Sequence, residues 1–247
     1  MSMEFITGSD RVDCGVQSEL ANIFDGGGTI MAWFWADTYG ASGRGRILEH
    51  ANNNDGDIGW ALLMQDGADS IEFWIGWRYW VIVWVQAWGG WRFATDFMDG
   101  KLDEWHHVAV AYNADAPGND AIMYFDGVSQ SVTETWTPSG ERRDDSSQYL
   151  NIGNSDDNNR SFDGWIEDAR LYNRILSANE IATIYAQQGT DGIVSGLLGR
   201  YMLNEGAKNV VASGSGAAKD NSIVKNDGTP YDSPVWDDYI SNRRRRV

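Results

Sequence analysis

The stretch that decides the fold spans residues 162–185 and reads FDGWIEDARLYNRILSANEIATIY. Asp163-Gly164 is typical of a tight turn, and residues 165–172 then carry apolar side chains with imperfect alternation, which indicates a buried strand. Ser177 and Glu180 have the spacing of a capping box, in which each side chain bonds a free backbone N–H of the first helical turn. We therefore predict a turn, a strand and one short helix, in that order.

The rest of the chain is organised as short strands separated by turns. From residue 1 to about residue 188, apolar segments alternate with Gly, Asn and Asp, a spacing typical of an antiparallel sandwich. Leu197–Leu203 is predicted to be a further strand of the same sandwich. Residues 205–232 are rich in Gly, Ser, Ala, Asn and Lys and are predicted to form a surface loop. The pattern predicts an all-β fold with one short helix near the C-terminal side.

The stretch 162–185 resembles the closing segment of laminin-G-like and pentraxin-like domains, which belong to the concanavalin A-like lectin and glucanase superfamily. Four further segments resemble that family in the same order along the chain: Phe5 with Gly8, Ser9, Asp10 and Val12; Thr29–Trp35; Trp105–Val110; and Tyr124–Val128. The resemblance covers roughly residues 5–203 and implies a two-layer antiparallel β-sandwich of the jelly-roll type. We expect residues 1–203 to form this sandwich, and residues 204–247 to add a surface loop and a basic C-terminal tail to the same domain.

The charge balance is strongly acidic, because 36 Asp and Glu against 19 Lys and Arg give a net charge of −17. Such a surface repels phosphate groups, which argues against nucleic acid as a partner of the domain body. The chain has no apolar run of the ~18 residues that a membrane span needs. Its first residues lack the basic and apolar parts of a signal peptide. We therefore expect cytoplasmic synthesis and no membrane contact.

An unusual concentration of aromatic residues lies between residues 74 and 93. It comprises Trp74, Trp77, Tyr79, Trp80, Trp84, Trp88, Trp91 and Phe93. Neighbouring β-branched residues and glycines favour strands over a helix, and a strand that is apolar on both faces needs a cover on each. The cover is either a thick core with subunit packing or a sugar, since tryptophan rings suit sugar faces. For the second alternative, the candidate ligand-binding residues are Trp77, Tyr79 and Trp91.

Two loops are rich in Asn and Asp. Residues 52–57 follow the strand around Ile47-Leu48, and residues 154–159 follow the strand Tyr149–Gly153. In pentraxin-like domains the loops at these two places converge and hold calcium, so the resemblance implies a site for Ca²⁺, which binds oxygen ligands. The candidate metal ligands are Asp55, Asp57, Asn154, Asp156 and Asp157. The alternative is ordinary turn chemistry, for which Asn and Asp are equally suited.

Support for catalysis is weak. Sandwich glucanases of the same superfamily carry Glu-x-Asp-x-(x)-Glu on one strand, and this chain has no such spacing. His106 and His107 are neighbours on a predicted strand, so they point to opposite faces, and we expect one packed and one exposed ring. The protein is therefore predicted not to be an enzyme.

Two classes of function remain. The first is a non-catalytic, lectin-like module that binds carbohydrate or another surface ligand through its rim loops, with calcium as an aid. The second is a structural protein of a viral particle, such as a capsid decoration or tail component, in which the sandwich serves assembly or host attachment. We expect a homo-oligomer or contacts with capsid or tail proteins. Arg243–Arg246 is the only concentrated positive charge and is either a binding segment for an acidic partner or a solvated tail.

Overall fold

The fold is a sandwich of two antiparallel β-sheets, as predicted. The computed structural model describes residues 2–6, 8–51, 58–80 and 83–237. Its strands are β1 (Ser2–Phe5), β2 (Arg11–Val16), β3 (Gly28–Ala36), β4 (Arg46–His50), β5 (Trp60–Gln65), β6 (Ser70–Trp80), β7 (Trp84–Arg92), β8 (Trp105–Tyr112), β9 (Ile122–Phe125), β10 (Val128–Gln130), β11 (Thr133–Trp136), β12 (Glu141–Arg142), β13 (Tyr149–Ile152), β14 (Gly164–Tyr172), β15 (Leu197–Tyr201), β16 (Val210–Val211), β17 (Thr229–Tyr231) and β18 (Val235–Asp237). Within the described residues there are also one α-helix, α1 (Ala178–Gln187), and three 3₁₀ helices, Ser18–Leu20, Ala41–Gly43 and Asp66–Ala68.

In the described part of the chain, each sheet contains nine strands. The order in the first sheet is β10-β9-β8-β3-β14-β1-β18-β16, and β15 also pairs with β14. The order in the second sheet is β11-β7-β6-β5-β4-β13-β2-β17, and β12 pairs with β6. Side chains that point inward from both sheets form the main core; Phe34 and Ile166 of the first sheet and Trp60 and Phe73 of the second are all fully buried.

Helix α1 begins at the predicted capping box. The Ser177 hydroxyl accepts a hydrogen bond from the Glu180 backbone N–H at 3.3 Å, and the Glu180 carboxylate accepts one from the Ser177 backbone N–H at 2.9 Å. Ile181 and Ile184 are fully buried in a second apolar cluster with Met31, on the outer face of the first sheet. The helix thus covers part of that face. No helix in the described ranges has the length and apolar character needed to cross a membrane.

Strand β14 contains a bulge that explains its imperfect alternation. Asp168 has a left-handed backbone, with φ of 49°, and the register between β14 and β3 shifts between Glu167 and Arg170. The Asp168 carboxylate accepts hydrogen bonds from Arg170 Nη2 at 2.7 Å and from Arg200 Nε at 2.9 Å, and Arg170 also binds Asp191 at 2.7 Å. These buried ion pairs fix β14 to β15 and to the segment after α1.

Residues 205–232 differ from the surface loop expected from their composition, since they contain β16 and β17. The strand β17 pairs with β2 at the edge of the second sheet. The next strand, β18, pairs with β1 and β16 in the first sheet. This part of the chain therefore forms one edge of each sheet. The Asp220 carboxylate accepts four hydrogen bonds, from the Arg200, Ser222 and Asn226 backbone N–H groups and from the Ser222 hydroxyl. Hydrogen bonds to one buried carboxylate therefore order a segment that has few apolar side chains.

The substitution Asp168→Asn tests the importance of the bulge. It keeps the shape of the side chain and its tolerance for a left-handed backbone, but it leaves the buried Arg170 with one anionic partner fewer. We expect the free energy of unfolding to fall by about 3 kcal/mol in urea denaturation, because Arg170 and Arg200 both lose a buried anionic partner and only Arg170 keeps another, Asp191. The matched control is Asp227→Asn, which removes the exposed pair with Lys219 and should cost less than about 1 kcal/mol. Equal effects of the two substitutions would contradict this account.

The same ion pairs make stability depend on pH. Burial raises the pKa of Asp191, but hydrogen bonds from Arg170 and from the Ile193 backbone N–H outweigh it and hold the pKa at about 2. Because this value lies below the ~3.9 of an unfolded aspartate, the stabilisation is complete above pH ~4 and is lost as the pH falls towards 2. The stability difference between the wild type and Asp191→Asn should therefore be constant between pH 7 and pH 5 and shrink towards pH 2. A difference that does not vary with pH would exclude an ionised Asp191 as its source.

Candidate functional site

A polar cavity opens at one rim of the sandwich, with a volume of about 340 Å³. It lies where the segment before β3, the segment after β8 and strand β12 meet β6. The lining residues are Asp25, Trp77, Ala114, Asp115, Gly140, Glu141 and Arg142. The antiparallel register of β3 and β8 pairs Gly28 with Tyr112, which explains why Asp25 and Asp115 come to the same rim.

The cation of this cavity is Arg142, whose side chain is only 8% exposed. Its Nη2 donates a hydrogen bond to Asp145 Oδ2, and its Nη1 donates one to the Gly76 carbonyl at 3.3 Å. The Asp145 carboxylate is fully buried and also accepts a hydrogen bond from the Asn22 backbone N–H at 2.5 Å. The remaining donor, Arg142 Nε, has no hydrogen-bond partner and lies 3.9 Å from Asp25 Oδ1. Two groups of the guanidinium are thus fixed, and the third is buried, with the Asp25 carboxylate as its nearest charged neighbour.

Three carboxyl groups accompany this single guanidinium. Burial raises the pKa of Asp25, the charge of Arg142 lowers it, and the charges of Asp145 and Asp115 raise it again. Asp115 Oδ1 accepts a hydrogen bond from the Gly26 backbone N–H at 2.8 Å, which orients this carboxylate. Glu141 lies at the outer lip and pairs with Arg78 at 3.6 Å. The cavity therefore offers mainly hydrogen-bond acceptors and a net negative charge.

The two predicted aromatic ligand residues whose side chains are described, Trp77 and Trp91, do not form an exposed platform. Trp77 is 1% exposed, so only a small part of its surface lines the cavity. Trp91 is completely buried: its ring lies 4.8 Å from that of Tyr112, and its Nε1 donates a hydrogen bond to Asp120 at 3.0 Å. Sugar stacking requires an exposed ring face, so the structure favours the alternative of core packing for Trp91. The side chain of Tyr79 lies outside the described residues.

Among the predicted calcium ligands, Asn154 has a structural role. Its amide group donates hydrogen bonds to the Gly8 and Asp10 carbonyls at 3.2 and 3.3 Å. Its side-chain oxygen accepts hydrogen bonds from the backbone N–H groups of Ser155 and Arg160 at 2.8 and 3.0 Å. The residue is fully buried, so its oxygen is already committed to the loop.

The two aspartates of this loop also interact mainly with the loop and with Arg11. Asp157 accepts hydrogen bonds from the Ser155 hydroxyl at 2.9 Å and from the Asn159 amide at 3.2 Å. Burial raises the pKa of Asp156, and the charge of Arg11 lowers it. No group of three or more His, Cys, Asp or Glu side chains in the described part of the chain could hold a metal ion. The three described candidates, Asn154, Asp156 and Asp157, therefore do not form such a group without further ligands.

The two strands that precede the Asx-rich loops run in opposite directions. The strands β4 and β13 are antiparallel neighbours, with His50 paired to Leu150 and Leu48 paired to Ile152. The chain therefore leaves β4 at the end of the sheet where β13 begins, whereas residues 154–159 follow the opposite end of β13. Asp55 and Asp57 lie outside the described residues, so calcium binding by the full set stays a prediction.

His106 and His107 point to opposite faces of β8, as predicted, but the expectation that one ring is exposed is wrong. His106 packs 4.5 Å from Phe125 and contacts Asp126 Oδ2 through its Nδ1 at 2.9 Å. His107 is fully buried on the outer face of the sheet, because α1 covers it; its ring lies 6.2 Å from that of Tyr185. Neither ring lines the rim cavity.

The cavity residues Asp25, Asp115, Glu141 and Arg142 are not among those predicted from the sequence. The sequence does indicate the position of two of them, since Asp25 immediately precedes one core strand and Asp115 closely follows another. Recognising the two strands as antiparallel neighbours would have placed both aspartates at one rim. Nothing in the local sequence indicates that β12 joins them there.

Comparisons with known proteins agree with this architecture. The family model described as the concanavalin A-like lectin/glucanases superfamily (Laminin_G_3) matches residues 8–182, which is more than half of the chain. No curated protein matches the sequence at a significant level.

Several solved structures have a similar fold at low sequence identity. A Bacteroides ovatus protein to which carbohydrate binding is ascribed has a TM-score of 0.51 and 14% identity over 95% of this chain, which spans 62% of that protein. The heptameric SAP-like pentraxin of Limulus polyphemus has a TM-score of 0.50 and 12% identity, over 79% of this chain and 87% of its own. The CBM40 of the Ruminococcus gnavus IT-sialidase has a TM-score of 0.50 and 14% identity, over 75% of this chain and 97% of its own. On the family match and the sandwich together, this chain belongs to the laminin-G-like part of the concanavalin A-like lectin/glucanase superfamily.

Proposed function

We propose that the protein is a non-catalytic carbohydrate-binding module whose ligand occupies the rim cavity. The observation that carries this proposal is the combination of a concave volume of about 340 Å³ with convergent polar groups. Small-molecule sites typically have volumes of about 300–1,000 Å³ and a few fixed polar groups that orient the ligand. This cavity is more polar than most such sites, as suits a ligand covered with hydroxyl groups.

The chemistry of the lining matches a sugar. Carboxylates accept hydrogen bonds from hydroxyl groups, and a bond to a charged acceptor is about twice as strong as a neutral one. Asp25 and Asp115 supply such acceptors, and the Arg142 guanidinium places a positive charge in the wall of the cavity. The buried pair of Arg142 with Asp145 holds the guanidinium in place before the ligand arrives, which reduces the entropy lost on binding.

The comparisons support the class of function without defining it. Carbohydrate binding is ascribed to the Bacteroides ovatus protein, and the Ruminococcus gnavus structure is the CBM40 of a sialidase. Because one fold hosts many functions, this likeness supports the proposal only together with the cavity. The alternative role in a viral particle, and the formation of a homo-oligomer, stay predictions.

Asp25→Asn tests the cavity as the binding site. The Asp25 side chain is half exposed, so the substitution should not affect folding. We expect it to weaken the binding of the best ligand on a glycan array about ten-fold in isothermal titration, because a charged acceptor is replaced by a neutral one. The matched control, Asp99→Asn, changes an exposed aspartate at the opposite end of β8 and should leave the affinity unchanged.

Two outcomes would contradict the proposal. If no glycan on the array binds, the protein is not a carbohydrate-binding module. If glycans bind but Asp25→Asn and Asp99→Asn behave alike, the ligand binds elsewhere. The bound oligosaccharide should also be recovered intact after prolonged incubation, since a module without catalytic activity releases no new reducing ends.

Calcium should not be required for this binding, because the cavity contacts come from protein side chains and the described Asx-rich loop is satisfied by its own hydrogen bonds. Titration in EDTA and in millimolar CaCl₂ should give dissociation constants within about two-fold of each other. Loss of binding in EDTA that Ca²⁺ restores would contradict this expectation and favour a metal site that includes Asp55 and Asp57.

A further inference from the structure

Two tryptophan rings lie together on the outer face of the second sheet. Trp136, at the end of the edge strand β11, is 42% exposed, and Trp88 of β7 is half-buried. Their ring centroids are 6.5 Å apart, and the ring planes meet at 56°. A pair of this kind on the outer face contributes nothing to the main core.

Glycine in β7 makes room for this pair. Gly90 is directly opposite Trp136 in the register of β7 and β11. A Cβ atom at position 90 would lie only 2.5 Å from Cε3 of the Trp136 ring, a distance that real Cβ contacts do not reach. Any larger residue at this position would push the ring away from the sheet. The Trp136 ring can therefore occupy this position only because residue 90 has no side chain.

The pair lies across β6 from the outer lip of the rim cavity. Trp88 is opposite Gly76 in the register of β6 and β7, and Arg78, two residues further along β6, lies on the same face of the sheet. Arg78 pairs with Glu141 at 3.6 Å, and Glu141 also lines the rim cavity. Two residues along a strand correspond to about 7 Å and two strand spacings to about 10 Å, so Trp88 lies about 12 Å from Glu141 across β6, a distance that two to three sugar units span.

We propose that Trp88 and Trp136 form a second subsite, which takes the continuing units of an uncharged oligosaccharide whose end lies in the rim cavity. This inference rests on the proposed function. Tryptophan rings bury the apolar face of a sugar ring. They tolerate different sugars, since this contact depends on the shape of the ring face and not on individual hydroxyl groups. The cavity supplies orientation, and the aromatic pair supplies additional contact area for longer chains.

The charges favour an uncharged chain. Asp25, Asp115 and Glu141 outnumber Arg142 in the cavity, and Arg78 is already paired with Glu141. The whole chain carries a net charge of −17, which repels anionic ligands over the range of a Debye length. Sialylated and sulfated sugars would therefore bind more weakly than neutral sugars of the same length.

The test uses the full chain and two series of probes in isothermal titration. The first series contains neutral gluco-, manno- and xylo-oligosaccharides of one to six units, and the second contains sialylated and sulfated oligosaccharides. With the best neutral series, the wild-type affinity should rise with chain length beyond two units. Trp136→Ala should abolish that rise, with a loss of about ten-fold for the longest member, and leave the shortest within about two-fold. Tyr231→Ala, which removes a similarly exposed aromatic ring (44%) from the other edge of the sheet, is the matched control.

The outcomes separate this inference from the proposed function. If neutral sugars bind but the affinity is independent of length, or if Trp136→Ala acts like Tyr231→Ala, the second subsite is excluded and the cavity proposal stands. If sialylated or sulfated sugars bind more tightly than neutral ones, the assignment to an uncharged chain is wrong. If no member of either series binds, both the second subsite and the proposed function fail.

Discussion

The arrangement of the first sheet depends on the buried ion pairs at the bulge of β14. This strand pairs with β3, with β1 and with β15, so it joins the N-terminal strand, a central strand and the first strand after the helix. Asp168 has a left-handed backbone and binds Arg170 and Arg200 at once. These charges hold the bulge in β14 and add side-chain contacts to the backbone pairing of β14 with β15.

The parts of the fold with a local chemical signal could be predicted from the sequence. The capping box of Ser177 and Glu180 defines the start of α1, and the alternation of short strands and turns defines the sheets. The bulge at Asp168 is visible in the sequence only as a break in alternation. One of the two arginines that bind Asp168 at the bulge is Arg200, 32 residues later, and no local pattern reveals this contact.

The site was harder to predict, because its residues are brought together by the register of distant strands. In the aromatic belt both faces of the strands are apolar, so alternation alone does not say which face is the core. The structure places Trp77 and Trp91 on the core side and Trp88 on the outer side. The Asx-rich loops follow strands that are direct antiparallel neighbours, and such loops leave from opposite ends of a sheet. Asp25 precedes β3 and Asp115 follows β8. Because these two strands are antiparallel neighbours, both residues lie at the same end of the sheet.

The most direct test of the carbohydrate site is the response of individual tryptophan indole N–H signals in ¹H–¹⁵N NMR spectra during titration with a neutral oligosaccharide. The account predicts that the signals of Trp77, Trp88 and Trp136 shift. The signals of Trp35, Trp105 and Trp165, which pack together on the first sheet, should stay in place. Shifts confined to these three residues of the first sheet, or no shift at saturating sugar, would contradict it.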